Sequence, residues 1–105
     1  MRQWHVDPAM MCRKHLLGEH VEHHMFVASI IKGRSINGYI KDGLIEVHTL
    51  FERHDELVKE MIRRGYNHAS PLSYVRLYKS GKVNRDSNLV ELARRCEACR
   101  ERINK

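Results

Sequence analysis

The chain has 105 residues, 42% hydrophobic and 30% charged, with a formal net charge of +6. That length supports about one compact domain with a modest core, and the balance excludes a disordered chain. No apolar run approaches the about 18–20 residues that cross a bilayer, and Met1 to Pro8, with Trp4, His5 and Asp7, is no secretory leader. Three cysteines in no disulfide-framework spacing favour a reducing, cytosolic setting.

Asp7-Pro8 reads as a helix start, with Asp7 as N-cap and proline at the first helical position. The pattern predicts a helix from about Pro8 to Ile31, with Met10, Leu17, Val21, Val27 and Ile31 on one apolar side. Gly33 and Arg34 to Gly43 read as a loop with at most a short helical turn. A second helix is expected from about Leu44 to Arg64, on Val47, Leu50, Phe51, Leu57, Val58, Met61 and Ile62. Arg63-Arg64 then Gly65 is a C-terminal stop. Tyr66 to Asn84, broken by Pro71 and Gly81, is loop-like. Asp86-Ser87 can cap a last helix from about Asn88 to Ile103. The expected architecture is a compact all-α single domain of three main helices with a long basic loop.

Charge is unevenly placed. Residues 61–85 hold six basic side chains, Arg63, Arg64, Arg76, Lys79, Lys82 and Arg85, and no acidic one. The other 13 Lys/Arg equal all 13 Asp/Glu, so this window carries the whole excess. Tyr66, Tyr74 and Tyr78 lie in it too. Cations that take phosphates, interleaved with rings that stack on bases, suit a nucleic-acid groove. A solvated basic loop is the plainer alternative.

His15, Glu19 and Glu22 share one helix face, Glu19 about 40° and Glu22 about 20° from His15. A carboxylate beside a histidine at a core edge can move protons; an ordinary solvated face with i, i+4 pairs is the alternative. His20 and His24 are one turn apart, with His23 between them. Cys96-Glu-Ala-Cys99 is a lone CxxC and a weak metal signal, and only Cys12 and other histidines could complete a site. His54 falls on the apolar face of the second helix, where a core role is expected. No P-loop, dinucleotide fingerprint or nucleophile elbow is present.

Two stretches carry a resemblance, Cys12-Arg-Lys-His-Leu-Leu-Gly-Glu-His-Val-Glu22 and Arg53-His-Asp-Glu-Leu-Val-Lys-Glu-Met-Ile-Arg-Arg-Gly-Tyr-Asn67. Together with Met1, Arg2 and Trp4 they resemble the pyrimidine dimer DNA glycosylases of the phage endonuclease V type, over roughly residues 1–25 and 45–72. The resemblance implies an all-α fold and a DNA glycosylase with AP-lyase activity. An N-terminal α-amine attacks the sugar carbon bearing the damaged base, and a glutamate assists ring opening and β-elimination. An α-amine with an ordinary pKa of about 7.7–8.0 is partly neutral, hence nucleophilic, at physiological pH.

Position by position, the amine falls on Met1 and the glutamate on Glu22, while Arg2 and His15 match residues near the lesion. Arg2 is a bulky second residue, which favours retention of Met1. Arg63, Arg64, Tyr66, Arg76, Lys79 and Lys82 would hold the DNA. Double-stranded DNA with a lesion, a modified base or an abasic site is the implied partner of a monomer in the cytoplasm of a bacterial or phage-infected cell, with no membrane, metal or organic cofactor. Val21 and Met25 stand where the family often places arginines, and Arg102 to Lys105 carry no aromatic residue. These departures touch dimer recognition more than abasic-site chemistry. A DNA-binding module without catalysis, and a His/Cys metal-binding interaction domain, are the alternatives.

Overall fold

The computed structural model describes residues 1–67 and 70–105. His68 and Ala69, inside the expected basic loop, lie outside the described residues. The fold is all-α: α1 (Arg13–Ile31), α2 (Asn37–Lys41), α3 (Leu50–Arg63), α4 (Arg85–Arg95) and α5 (Glu97–Ile103). No strand occurs among the described residues. The three main helices are α1, α3 and α4. Of the shorter ones, α2 lies in the expected loop, which allows a short helical turn, and α5 arises where the last expected helix breaks.

The Asp7 cap forms, accepting from the Ala9 amide at 3.0 Å, but the helix it starts is a single 3₁₀ turn, Pro8–Met10. Met11 leaves it in an extended conformation and is wholly buried. The Cys12 amide then donates to Cys99 Sγ at 3.2 Å, and α1 begins at Arg13. Likewise α3 starts at Leu50 and not near Leu44. The Leu44 carbonyl accepts from the Gln3 amide, and the Glu46 amide donates to Gln3 Oε1 at 2.8 Å. Backbone groups committed to another segment cannot close helical turns. The last expected helix breaks at Cys96, which is extended and serves as N-cap of α5. Asn84, not Asp86-Ser87, caps α4 by accepting from the Ser87 amide. The Arg63-Arg64-Gly65 stop holds: Gly65 has φ 83°, and the Tyr66 amide reaches back to the Met61 carbonyl.

The buried side of α1 differs from the expected one. Leu16, Glu19, His20, His23, Phe26 and Val27 face inward, while Val21 and Ile31 are 55% and 57% exposed. Three of the inward positions, Glu19, His20 and His23, are polar, so the apolar pattern alone pointed to the wrong face. α1 packs on α3 and spans two apolar clusters. One holds Trp4, Leu16, Leu57, Met61 and Leu92; the other holds Phe26, Ile45, Val47 and Leu50. Between Leu16 and Phe26 on α1 lies a polar layer. Arg53 grips Glu19 with two bonds of 2.7 and 2.9 Å, and both side chains are fully buried. Arg53 also donates to the Val6 carbonyl at 2.7 Å. Removing one partner of such a pair costs about 3–5 kcal/mol, because the other charge stays buried.

The N-terminal stretch Gln3 to Val6 is threaded through this interior and buried at every residue. Gln3 bonds to Leu44, Glu46 and His23, and Asn88 on α4 donates to the Trp4 carbonyl at 2.7 Å. Met1 and Arg2 emerge from it at a fixed place beside α1.

Candidate active site

Glu22 sits two turns into α1, on the flank between the buried and exposed sides. Threading Gln3 to Val6 through the core brings the Met1 amine to 3.8 Å from Glu22 Oε1. The Arg2 backbone also bonds to this carboxylate. Burial pushes the Glu22 carboxyl above its ordinary range, and the nearby amine opposes that rise. A half-buried carboxyl held this way can take up and return a proton.

Both groups open onto a cavity of about 780 Å³ between α1, the N-terminal segment and the end of α4. Its walls include Trp4, His15, Leu17 and Leu44, and Arg2, Lys14 and Arg95 bring cationic groups to it. The volume lies within the range of about 300–1,000 Å³ typical of ligand sites. Arg2 donates to Asn88 Oδ1 at 2.6 Å and lies over the Trp4 ring at 4.1 Å. Its Nε is buried with no hydrogen-bond partner among the described residues.

The other expected site residues are distributed differently. His15 lines the cavity, with its ring edge-on to Trp4 at 6.0 Å. Its Nδ1, however, faces the thiols of Cys12 and Cys99 at 3.3 and 3.6 Å. Glu19, expected on the polar face with His15 and Glu22, is the buried partner of Arg53.

Arg63 and Arg64 are not among the residues lining the cavity; both bind the Glu60 carboxylate, holding its pKa down at about 2. Glu60 stands one residue before the acid-free window, which is why the window overstated its free charge. Arg64 also donates to the carbonyls of Pro8 and Met11, a structural task. Tyr66 packs against the first apolar cluster, under Arg13 at 5.1 Å. Arg76, Lys79 and Lys82 are exposed with no acidic partner among the described residues. Tyr74, 85% exposed, stacks on Phe51 at 6.2 Å.

Lys14, Arg95 and Asn88 were not singled out from the sequence. Lys14 lies beside the matched His15, which was a usable hint. Arg95 and Asn88 reach the site only through the docking of α4, which sequence spacing does not show. His20, His24 and His54 gather with ring centroids 4.8–5.2 Å apart, so the one-turn pairing of His20 with His24 acquires a third imidazole from α3.

A family model described as pyrimidine dimer DNA glycosylase matches residues 1–74, and these residues contain the amine, Glu22 and most of the cavity wall. The chain belongs to that family, whose activity is DNA glycosylase chemistry on DNA containing pyrimidine dimers. No curated protein and no solved structure matches the chain. Among the described residues, no helix is long and apolar enough to cross a membrane.

Proposed function

We propose that this protein is a DNA glycosylase with AP-lyase activity on damaged or modified pyrimidines in duplex DNA. The observation that carries the reading is the Met1 amine 3.8 Å from Glu22 at the mouth of a cavity, in a member of a DNA glycosylase family. The neutral amine attacks C1′ of a nucleotide turned out of the stack, and the base leaves. The carbon–nitrogen bond formed is an iminium on the open sugar. Glu22 takes the proton that the amine loses on adding and returns it to O4′ as the C1′–O4′ bond breaks to give this iminium. The carboxylate, again free, then removes the C2′ proton for β-elimination of the 3′ phosphate. Arg2, whose Nε lacks an acceptor, supplies a donor to the lesion strand. His15 and Trp4 wall the nucleotide, and Lys14 and Arg95 flank it. Arg76, Lys79 and Lys82, with Tyr74, grip DNA outside the cavity. The enzyme acts as a monomer in the cytoplasm, without an organic cofactor.

Borohydride reduction in the presence of abasic-site DNA tests the chemistry. The iminium is reduced to a stable secondary amine, so wild-type protein becomes covalently joined to DNA. Selective acylation of the α-amine should abolish the adduct. Glu22→Gln should lower strand cleavage by about 100-fold or more, with DNA binding retained. An adduct that persists on the acylated protein would falsify the mechanism. DNA binding with no cleavage of any lesion would leave only a binding module.

A further inference from the structure

Four metal-ligating side chains, three of them cysteines that the proposed chemistry does not use, converge at the junction of the two ends of the chain. They are Cys12, His15, Cys96 and Cys99, and their donor atoms all lie within 4.8 Å of one another. Cys12 Sγ is 3.8 Å from Cys96 Sγ and 3.3 Å from His15 Nδ1, and Cys99 Sγ is 3.6 Å from His15 Nδ1. A zinc ion with Zn–S about 2.3 Å and Zn–N about 2.0–2.1 Å requires tetrahedral edges of about 3.8 Å for S···S and about 3.5 Å for S···N. These three pairs therefore already stand close to the edges of a zinc tetrahedron, and the remaining pairs lie within 4.8 Å. A disulfide needs sulfurs at about 2.05 Å, far closer than any of these pairs. We infer that Cys12, His15, Cys96 and Cys99 form a closed, structural zinc site.

Independent features of the backbone support it. The Cys12 amide donates to Cys99 Sγ and the Cys99 amide to Cys96 Sγ, at 3.2 and 3.4 Å. Amide-to-sulfur bonds of this kind stabilise thiolate ligands. Cys12 and Cys96 occupy the N-cap positions of α1 and α5, whose positive ends favour a thiolate. The sequence spacing also makes sense in retrospect. Cys96-x-x-Cys99 is not alone: Cys12-x-x-His15 is a second pair with the same spacing, 84 residues upstream.

The site also answers a packing problem. α5 has seven residues, and Cys99 is its one buried side chain. A helix of that length is unstable alone, and beyond the thiol it is tied to the N-terminal turn by an exposed bond from Arg102 to the Ala9 carbonyl at 3.0 Å. A metal would tie Cys96 and Cys99 to the start of α1. With four protein ligands no position is left for a catalytic water, so the role is to fix the wall of the cavity. His15 lines that cavity, and Arg95, next to Cys96, lines it too. Cys96 and Cys99 lie beyond residues 1–74, so the metal would join the family-matching part of the chain to the part outside it. This inference does not rest on the proposed DNA chemistry.

Metal analysis of the full chain, purified without chelator, tests it directly. About one equivalent of zinc per chain is expected. Cobalt should replace it, with thiolate-to-cobalt charge-transfer bands and the strong visible bands of tetrahedral coordination. The double variant Cys96→Ser/Cys99→Ser should lose the metal and the bands. Because that variant can also unfold, His15→Cys provides a second arm. It keeps four ligands, so it should retain about one equivalent and shift the cobalt bands toward an all-sulfur set. The histidine cluster on α1 and α3 provides the control: His24→Asn should leave the zinc in place. Wild-type protein that takes up neither zinc nor cobalt overturns the proposal. So does metal that survives the double cysteine change, or that leaves on His24→Asn.

Discussion

His5 lies in left-handed backbone space, at φ 55°, and is buried at 4% exposure. Its Nε2 meets Thr49 Oγ1 at 2.9 Å. Burial, with Arg53 and Arg85 nearby, lowers its pKa from 6.5 to about 4, and Glu46 and Glu19 only partly oppose this. The folded protein thus refuses a proton that the unfolded chain accepts. Stability from this residue is complete above pH 6.5 and is lost as pH falls toward 4, by up to about 3 kcal/mol. Urea unfolding at pH 7 and pH 4.5 should show the drop. His5→Asn, which tolerates the left-handed conformation, should reduce the difference between the two pH values. An undiminished difference would point to other groups. The Glu60 carboxylate, held at about 2 by Arg63 and Arg64, stabilises the fold above its ordinary pKa of 4.5 and loses that contribution as pH falls from there toward 2. The family resemblance named Met1 and Glu22, and the structure brings the two to 3.8 Å of one another. Burial was not legible in the sequence where partners are remote. Glu19 looked like a surface carboxylate because Arg53, which buries it, lies 34 residues away.

Among the elements, helix stops were readable and helix starts were not. Gly65 after two arginines specifies its own end through φ and dipole, without outside help. The start of α3 depends on Gln3 claiming the backbone at Leu44 and Glu46, and the break at Cys96 depends on its sulfur partners. The segment leading into α4 is also set by a distant contact. Gly81 has φ 87°, and a Cβ there would stand 2.1 Å from the Ile45 carbonyl oxygen. The Ser80 carbonyl accepts from Val47, and the Val83 amide donates to Glu46 Oε2. Gly81→Ala therefore meets both a backbone collision and a conformational penalty. Thermal unfolding should show a loss of about 2 kcal/mol or more, whereas Gly18→Ala, with open space at its Cβ, should not. Equal stability of the two variants would contradict the close crossing.

At the scale of the whole molecule, the net charge of +6 divides into two kinds of cation. Arg53, Arg63 and Arg64 are bound to internal carboxylates, and Arg64 also serves carbonyls. Arg76, Lys79 and Lys82 are exposed and unpaired among the described residues, on a segment fastened by Gly81. Only the second kind can release counterions from DNA. Changing these three to glutamine should reduce the slope of log binding against log salt by about 2–3. Binding by fluorescence anisotropy over a salt series measures it, and an unchanged slope would remove the segment from the DNA contact. The fold class and the amine–glutamate pair were visible in sequence because family motifs and helical spacing mark them. The cavity and the thiol cluster were not, since the first joins residues 1–22 to Arg95 of α4 and the second joins Cys12 and His15 to Cys96 and Cys99, 84 residues away.

The buried thread from Gln3 to Val6 sets a limit on reach. Gln3 is fixed by three partners, so only two residues separate the amine from an anchored point. Two residues span at most about 7 Å. A reactive end on so short a leash cannot search along a duplex or probe a stacked base. In the proposed mechanism the travel must be done by the nucleic acid. Discrimination then belongs to how readily a damaged nucleotide swings outward, and nucleotides already loosened in the helix become the natural targets.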